Sequence, residues 1–458
     1  MDLTKKLIEN TRTRYEDLSG ETREVTKRNI LDTLGVMFPA TTLDKACGSV
    51  YEMVKEQGGI KESTIIGFGG KAPCTMAAFV NGSLAHALDY DDVSDDYPHH
   101  PSANVFPAAL AAAEKTGGIG GREFITAIAL GNDLSVRLSA SVGKAMANHP
   151  WFPFSIFGVF SATLGAGKLL RLSEDQMVNA FGIAVNRVFG TIEGILDPSS
   201  DIRGIRDIRD GFTNREGVFC ALMASRGITG SKDGIEKMLK NYYKDEHDPS
   251  ILLSGLGKDF RGAEVSIKPW PVARETHGYI QAALDIIKEH DVDPSQIEEV
   301  TVTVGEFVAS HLCEPRDDKA KPRSSIAAKF SLPFALGVAF TGKEVQIDDF
   351  YLDRLDAPQV LEMAGRVYYR IDPGFGIFTP AAVDVRTKGG ETFGKRVETL
   401  YGHPQNPIGG ADLIAKFKDC VRHGRKPLSR ERTELVIETA LNLEEVKDMS
   451  EFTGLLNS

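Results

Sequence analysis

The stretch Leu88-Asp89-Tyr90-Asp91-Asp92-Val93-Ser94-Asp95-Asp96-Tyr97-Pro98-His99-His100-Pro101-Ser102-Ala103 places five carboxylates and two imidazoles within 12 residues. Crowding and partial burial move carboxyl and imidazole pKa values towards neutrality, so this stretch could supply general acid and base groups. The plain alternative is a solvated acidic turn, with Asp91, Asp92, Asp95 and Asp96 facing water. A metal site is a third reading, but the spacing matches no ligand template. HExxH is absent, and so are the Gly and the closing Glu of a calcium loop. We therefore expect no metal.

A second cluster, Ser200-Asp201-Ile202-Arg203-Gly204-Ile205-Arg206-Asp207-Ile208-Arg209-Asp210-Gly211, carries three arginines at intervals of three. Guanidinium forks match carboxylates bidentately and suit an acidic substrate. For Arg203 and Arg209 a surface pair with a neighbouring aspartate is the simpler reading. The third cluster is Lys268-Pro269-Trp270-Pro271-Val272-Ala273-Arg274-Glu275-Thr276-His277-Gly278. Its histidine stands at a helix start, where it is either a neutral base or a structural cap.

These clusters need elements to hold them. Up to about residue 260, apolar residues recur at threes and fours, as in 22–37, 103–116, 122–141 and 155–170. The acidic stretch joins two such apolar helices, a place where active-site loops sit on a rigid scaffold. Ser173 before Glu174 and Asp175 reads as a capped helix start. Gly158, Ala162 and Gly165 would let helix axes approach closely. Beyond Phe260 the period changes to two in residues 298–304, 366–371 and 382–386, the last running through Lys388-Gly389-Gly390-Glu391 into a hairpin. Two helices, His277–Glu289 and Ala327–Phe340, are interspersed, and 412–420 and 429–441 return to helix. The fold is therefore read as mainly α. A large all-helical domain comes from both chain ends (1–264 and 404–458), with a smaller α+β domain over 265–403.

Composition sets outer limits. The 458 residues exceed one ordinary core, and 42% apolar with 26% charged residues is a globular profile. A net charge of −11 argues against nucleic acid or an anionic membrane as main partner, so an acidic substrate must meet local positive charge. Five scattered cysteines without a CxxC pair point to free thiols. The charged N-terminal stretch has no apolar signal core, and no run reaches the length of a membrane span. The expectation is a cytoplasmic protein.

Taken in order, Phe79-Val80-Asn81-Gly82-Ser83-Leu84-Ala85-His86-Ala87-Leu88-Asp89-Tyr90-Asp91-Asp92, His100-Pro101-Ser102-Ala103, Gly217 to Gly230, Lys268-Pro269-Trp270-Pro271 with Thr276-His277, and Lys329-Phe330-Ser331-Leu332-Pro333-Phe334 resemble the MmgE/PrpD family. That family contains 2-methylcitrate dehydratase, cis-aconitate decarboxylase and iminodisuccinate epimerase. The resemblance spans nearly the whole chain. It implies a helical domain with an α+β lid, a homodimer without metal or organic cofactor, and a small polycarboxylate held between the domains. It places the family's cleft aspartate on Asp89 and its two histidines on His100 and His277. Two positions depart from the pattern. Val93 stands where dehydratase and decarboxylase members typically have Thr, and Arg206 where they carry Lys.

What this implies is proton transfer at the carbon next to a substrate carboxylate by Asp89, His100 and His277. Arg206 and Lys268 would fix that carboxylate, with His99, Ser102 and Arg274 as further substrate contacts. Arginine keeps the clamp but does not give up a proton near neutral pH. Dehydration is the first reading, with decarboxylation or epimerisation as alternatives. A catalytically inactive carboxylate-binding relative is the alternative from another class.

Overall fold

The structure, a computed structural model, describes residues 2–456 except Pro98, residues 192–202, Asp245 and Leu352. Ser200, Asp201 and Ile202 of the second cluster lie outside the described residues, as does the side chain of Arg203. The chain is mainly α-helical with small sheets. It forms two compact units, Met1–Ile267 with Gly410–Ser458, and Lys268–Gly409. Among the described residues no helix is long and apolar enough to cross a membrane.

In the first unit the helices Cys74–His86, Pro101–Thr116, Gly121–Val142 and Pro153–Leu169 bury almost every residue. A helix apolar on all sides must lie inside a bundle, and these four form its interior. The helix Arg209–Ser225 packs against Cys74–His86 and Pro153–Leu169. That packing is backbone to backbone. A Cβ on Gly211 would lie 2.2 Å from Ser83 Oγ, and one on Gly82 would lie 2.6 Å from the Asp210 carbonyl. The missing side chains bring the start of Arg209–Ser225, where the arginine cluster ends, to the end of Cys74–His86, where the acidic stretch begins.

Pro107 sits inside Pro101–Thr116 and has no N–H for the Ala103 carbonyl four residues back. Asn214 Nδ2 donates to that carbonyl instead, at 2.8 Å, and its Oδ1 accepts from Ala108 N at 2.9 Å. The cap at Ser173 forms with Gln176 as a reciprocal capping box. From the C-terminal segment, the helix Gly410–Arg422 packs on Gly20–Leu43 and sends Lys416 inwards. Its Nζ pairs with Asp32 at 2.6 Å, donates to the Tyr90 carbonyl at 2.9 Å and lies 3.8 Å over the Tyr90 ring. The far end of the chain thus pins the acidic loop.

This unit is not purely helical. Ser63–Thr64 pairs antiparallel with Lys71–Ala72, and buried Asn81 holds the ladder through Thr64 O (2.8 Å) and Ile66 N (3.0 Å). A two-residue strand leaves no alternation for a periodicity reading to detect.

In the second unit a four-stranded sheet has the order Val367–Ile371, Ile297–Val304, Ala381–Thr387, Thr392–Val397. Ala381–Thr387 and Thr392–Val397 form the hairpin, and Ile297–Val304 pairs parallel with Val367–Ile371. The helix His277–His290 lies on the hairpin strands and on Leu332–Gly342. Val300, Val302, Val383 and Val385 meet Ile280, Ile286, Phe334 and Phe340 in its core. The single helix expected over Ala327–Phe340 is two, Ser325–Lys329 and Leu332–Gly342. Pro333 cannot donate to the Lys329 carbonyl, which accepts from Ala273 N at 3.1 Å instead, and Ser331 caps the second helix.

Candidate active site

The acidic stretch is not a solvated turn. Asp91 and Asp92 are fully buried, and only its later residues, such as Asp96, reach solvent. Cys74–His86 ends at His86, and the Asp89 N–H returns to the His86 carbonyl at 3.0 Å. Asp89 then adopts φ +54°, a left-handed conformation that aspartate tolerates better than most residues. This tight turn directs Asp89 and Asp91 back towards one imidazole. Nδ1 of His86 lies 3.0 Å from Asp91 Oδ2, and its Nε2 lies 3.9 Å from Asp89 Oδ1.

His100 occupies the N-cap position of Pro101–Thr116, and its Nδ1 is 2.9 Å from the Asp92 carbonyl and 3.1 Å from Asp91 Oδ2. Asp91 therefore serves two imidazoles through one oxygen. Burial works against its charge, but the two rings outweigh it and hold the Asp91 carboxyl well below the usual carboxylate range. Burial, with nearby Arg209, pushes the His86 imidazole below its ordinary value, so His86 is a neutral N–H donor to an ionised carboxylate.

Arg206 grips Asp89 bidentately, with Nη2 to Oδ1 at 2.8 Å and Nη1 to Oδ2 at 2.9 Å. Burial opposes the guanidinium charge, yet Asp89 holds its pKa above the ordinary value. Arg206 is thus a carboxylate clamp, and here the carboxylate is that of Asp89. Arg209 is not a surface pair. It is buried 4.7 Å over Phe152 and 5.6 Å over Phe154, with Nε 3.5 Å from Asp210 Oδ2. Phe154 also meets the rings of His100 (5.6 Å) and His99 (5.3 Å), forming an aromatic wall.

The loop's other two candidates, Ser102 and His99, are both fully buried. Ser102 donates to Asp92 Oδ2 and accepts from Asn132 Nδ2 at 3.0 Å. Both of these hydroxyl contacts are to protein groups. Burial pushes the Asp92 carboxyl up to about 7 against the pull of Ser102. His99 packs against Phe154 and Phe157, and neither ring nitrogen has a partner among the described residues. Burial, with His100 and Arg209 nearby, holds its pKa well below the ordinary value, so it gives no cation for a carboxylate.

That shift has a testable consequence. A histidine whose folded pKa is depressed contributes stability above its unfolded value, and that stability is lost as pH falls through it. His99→Phe is expected to gain on wild type by about 1 kcal/mol when pH drops from about 7.5 to about 5.5, either side of the unfolded value near 6.5. Urea midpoints at the two pH values check this, and parallel shifts in both proteins would refute it.

In the second unit, Lys268, Arg274 and His277 lie in one buried segment. His277 opens the helix His277–His290 beside Trp270 (5.3 Å), with Nε2 3.4 Å from the Val272 carbonyl and Nδ1 3.4 Å from Arg274 Nη1. Arg274 donates to the Tyr401 carbonyl at 3.0 Å. These contacts suit a structural helix start as well as a base.

The sequence reading missed His86, Asp91, Arg209 and Phe154 as members of the first constellation. His86 had a local signal, lying three and five residues before Asp89 and Asp91. Arg209 and Phe154 had none, because distant helices carry them. His86, Asp91 and His100 also form a group whose ligand atoms lie within 4.8 Å of one another, close enough to hold a metal ion, although their sequence spacing matches no template. Hydrogen bonding accounts for the same contacts, since the His100 Nδ1 that meets Asp91 also meets a peptide carbonyl, which requires an N–H there.

Two family models match this chain, the MmgE/PrpD N-terminal domain over residues 10–243 and the MmgE/PrpD C-terminal domain over residues 270–443. Cis-aconitate decarboxylase of Homo sapiens is 26% identical over 447 residues, covering 94% of this chain and 89% of that protein. The Mus musculus enzyme of the same name is 26% identical, covering 94% and 88%. That of Aspergillus terreus is 24% identical, covering 86% and 83%. With both models matched along most of its length, the chain belongs to the MmgE/PrpD family.

Proposed function

We propose that this protein is a metal-independent lyase that moves a proton at the carbon next to a carboxylate of a small di- or tricarboxylic acid. The observation that carries this reading is the His100 imidazole, set beside ionised Asp91 and still 9% exposed, with the Arg206 guanidinium gripping the neighbouring Asp89. An imidazole so placed exchanges protons with a carbon acid, and a nearby cation stabilises the enediolate that forms. In the same reading His277 is the second acid–base group, and Lys268 and Arg274 hold substrate carboxylates.

The relatives' names favour decarboxylation of an unsaturated tricarboxylic acid. There the bond to the departing carboxylate breaks, CO2 leaves, and the carbon that keeps the electron pair takes a proton from the imidazolium. Dehydration is the second reading: the base removes the α-proton, and the β-hydroxyl leaves as water once protonated. Epimerisation would return a proton to the opposite face.

Incubation with cis-aconitate and with citrate-like and succinate-like acids in heavy water, followed by mass spectrometry, separates these outcomes. Loss of CO2, loss of water, or deuterium uptake without other mass change identifies the branch, and exhaustive chelation is expected to leave the rate unchanged. If no acid gains deuterium or changes mass, the protein is a binder. A rate lost on chelation and restored by one divalent ion would assign His86, Asp91 and His100 to a metal.

A further inference from the structure

We propose that Asp91 is the positioning residue of this site, holding the His100 and His86 rings as Nδ1–H tautomers so that Nε2 of His100 is the nitrogen that carries the proton. The proposal rests on the reading of His100 as the proton-transfer group and adds to it which atom acts and what fixes that atom.

The argument is one of acceptors. The groups facing His100 Nδ1 are Asp91 Oδ2 at 3.1 Å and the Asp92 carbonyl oxygen at 2.9 Å. Neither can donate while Asp91 is ionised, so a bare lone pair on Nδ1 would oppose two others, and the hydrogen must sit there. The neutral imidazole then has its lone pair on Nε2. The same logic holds at His86, whose Nδ1 faces Asp91 Oδ2 at 3.0 Å and Asp210 Oδ2 at 3.7 Å. Its Nε2 has no hydrogen-bond partner among the described residues.

Asp91 keeps its charge in a fully buried place because one oxygen receives two N–H groups. Remove either ring and a buried carboxylate loses half its support. The ring planes of His86 and His100 meet edge to face at 4.6 Å, and Phe154 closes on His100 from another side, so the orientation is held by packing as well as by hydrogen bonds. The buried cation beyond them is Arg209, beside Asp210. In the other tautomer His100 would present an N–H to the substrate and could not accept a proton there.

The test uses the full chain labelled with 15N-histidine, with the His86 and His100 signals assigned from His86→Gln and His100→Gln. In wild type both rings are expected to show a protonated Nδ1 and an unprotonated Nε2, with the His100 Nδ1 proton shifted strongly downfield by the carboxylate. In Asp91→Asn that proton is expected to move upfield. Turnover should fall on the order of a hundredfold or more, as when an aspartate that orients a catalytic imidazole is neutralised. KM should change far less, because Asp91 is fully buried behind the two imidazoles.

An Nε2–H tautomer in wild-type His100, an unmoved resonance in Asp91→Asn, or an equal loss in KM and kcat would overturn the proposal. Should Asp91→Asn fail to fold, the wild-type spectrum decides by itself. Zinc that binds stoichiometrically and displaces both Nδ1 protons would replace the hydrogen-bonded arrangement with a metal site. If the tautomers are as expected but His100→Gln keeps full turnover, the positioning stands and the reading of His100 as the acting group fails.

Discussion

His100→Gln is expected to lower turnover by about a hundred- to ten-thousandfold, the range by which positioned acid–base groups accelerate proton transfer. Glutamine fills a similar volume and can still donate to the Asp92 carbonyl or to Asp91, so the loop has little reason to rearrange. It cannot accept and return a proton near neutral pH. Chemistry should therefore fail while folding holds. The check is the rate of the acid identified by mass spectrometry, read together with circular dichroism and the thermal midpoint. Turnover within threefold of wild type in a folded variant would remove His100 from the mechanism. In an epimerase the same variant would block one stereoisomer while α-proton exchange from the other continued.

Arg137→Ala is expected to destabilise the first unit by about 3–5 kcal/mol, the usual cost of removing one member of a buried ion pair. Arg137 is fully buried in Gly121–Val142 and binds Asp133 at 2.7 Å. It also donates to the carbonyls of Ser254 (2.6 Å) and Asp259 (2.5 Å). Burial pushes the Asp133 carboxyl up even with the guanidinium beside it, so alanine would strand an acid and orphan two carbonyls. The double variant Asp133→Asn with Arg137→Met should recover part of the loss, because no unpaired charge remains. Urea midpoints of the transition assigned to this unit check both, and a single-variant change under about 1 kcal/mol would show the pair to be dispensable. The same helix carries Asn132, which bonds Ser102 beside Asp92, so the damage should reach the acidic loop.

Much of this protein was legible in its sequence, for local reasons. Apolar residues at threes and fours announced the interior helices, and the alternation in residues 298–304 and 382–386 announced the strands, because side-chain direction follows the backbone period. The family resemblance rests on runs of neighbouring residues, and the family models match the same chain. Within the acidic loop, residue types showed that acid–base groups were present. They did not show which ones face water. Asp91, for which a solvated turn and an acid–base role were both open, lies between two imidazoles, because the left-handed turn at Asp89 folds the loop back on His86.

The rest depended on approach between distant elements, which a linear pattern does not encode. Arg209 went from an apparent surface pair to a buried cation because Gly82 and Gly211 let two helices touch through their backbones. The parallel pairing of Ile297–Val304 with Val367–Ile371 follows from tertiary packing, since alternation alone does not set strand direction. Sequence decided which chemical groups the protein owns and the elements that carry them. Tertiary structure decided their partners and burial. Those two conditions fix the charge of Asp91, the neutrality of His86 and His99, and the grip of Arg206 on Asp89.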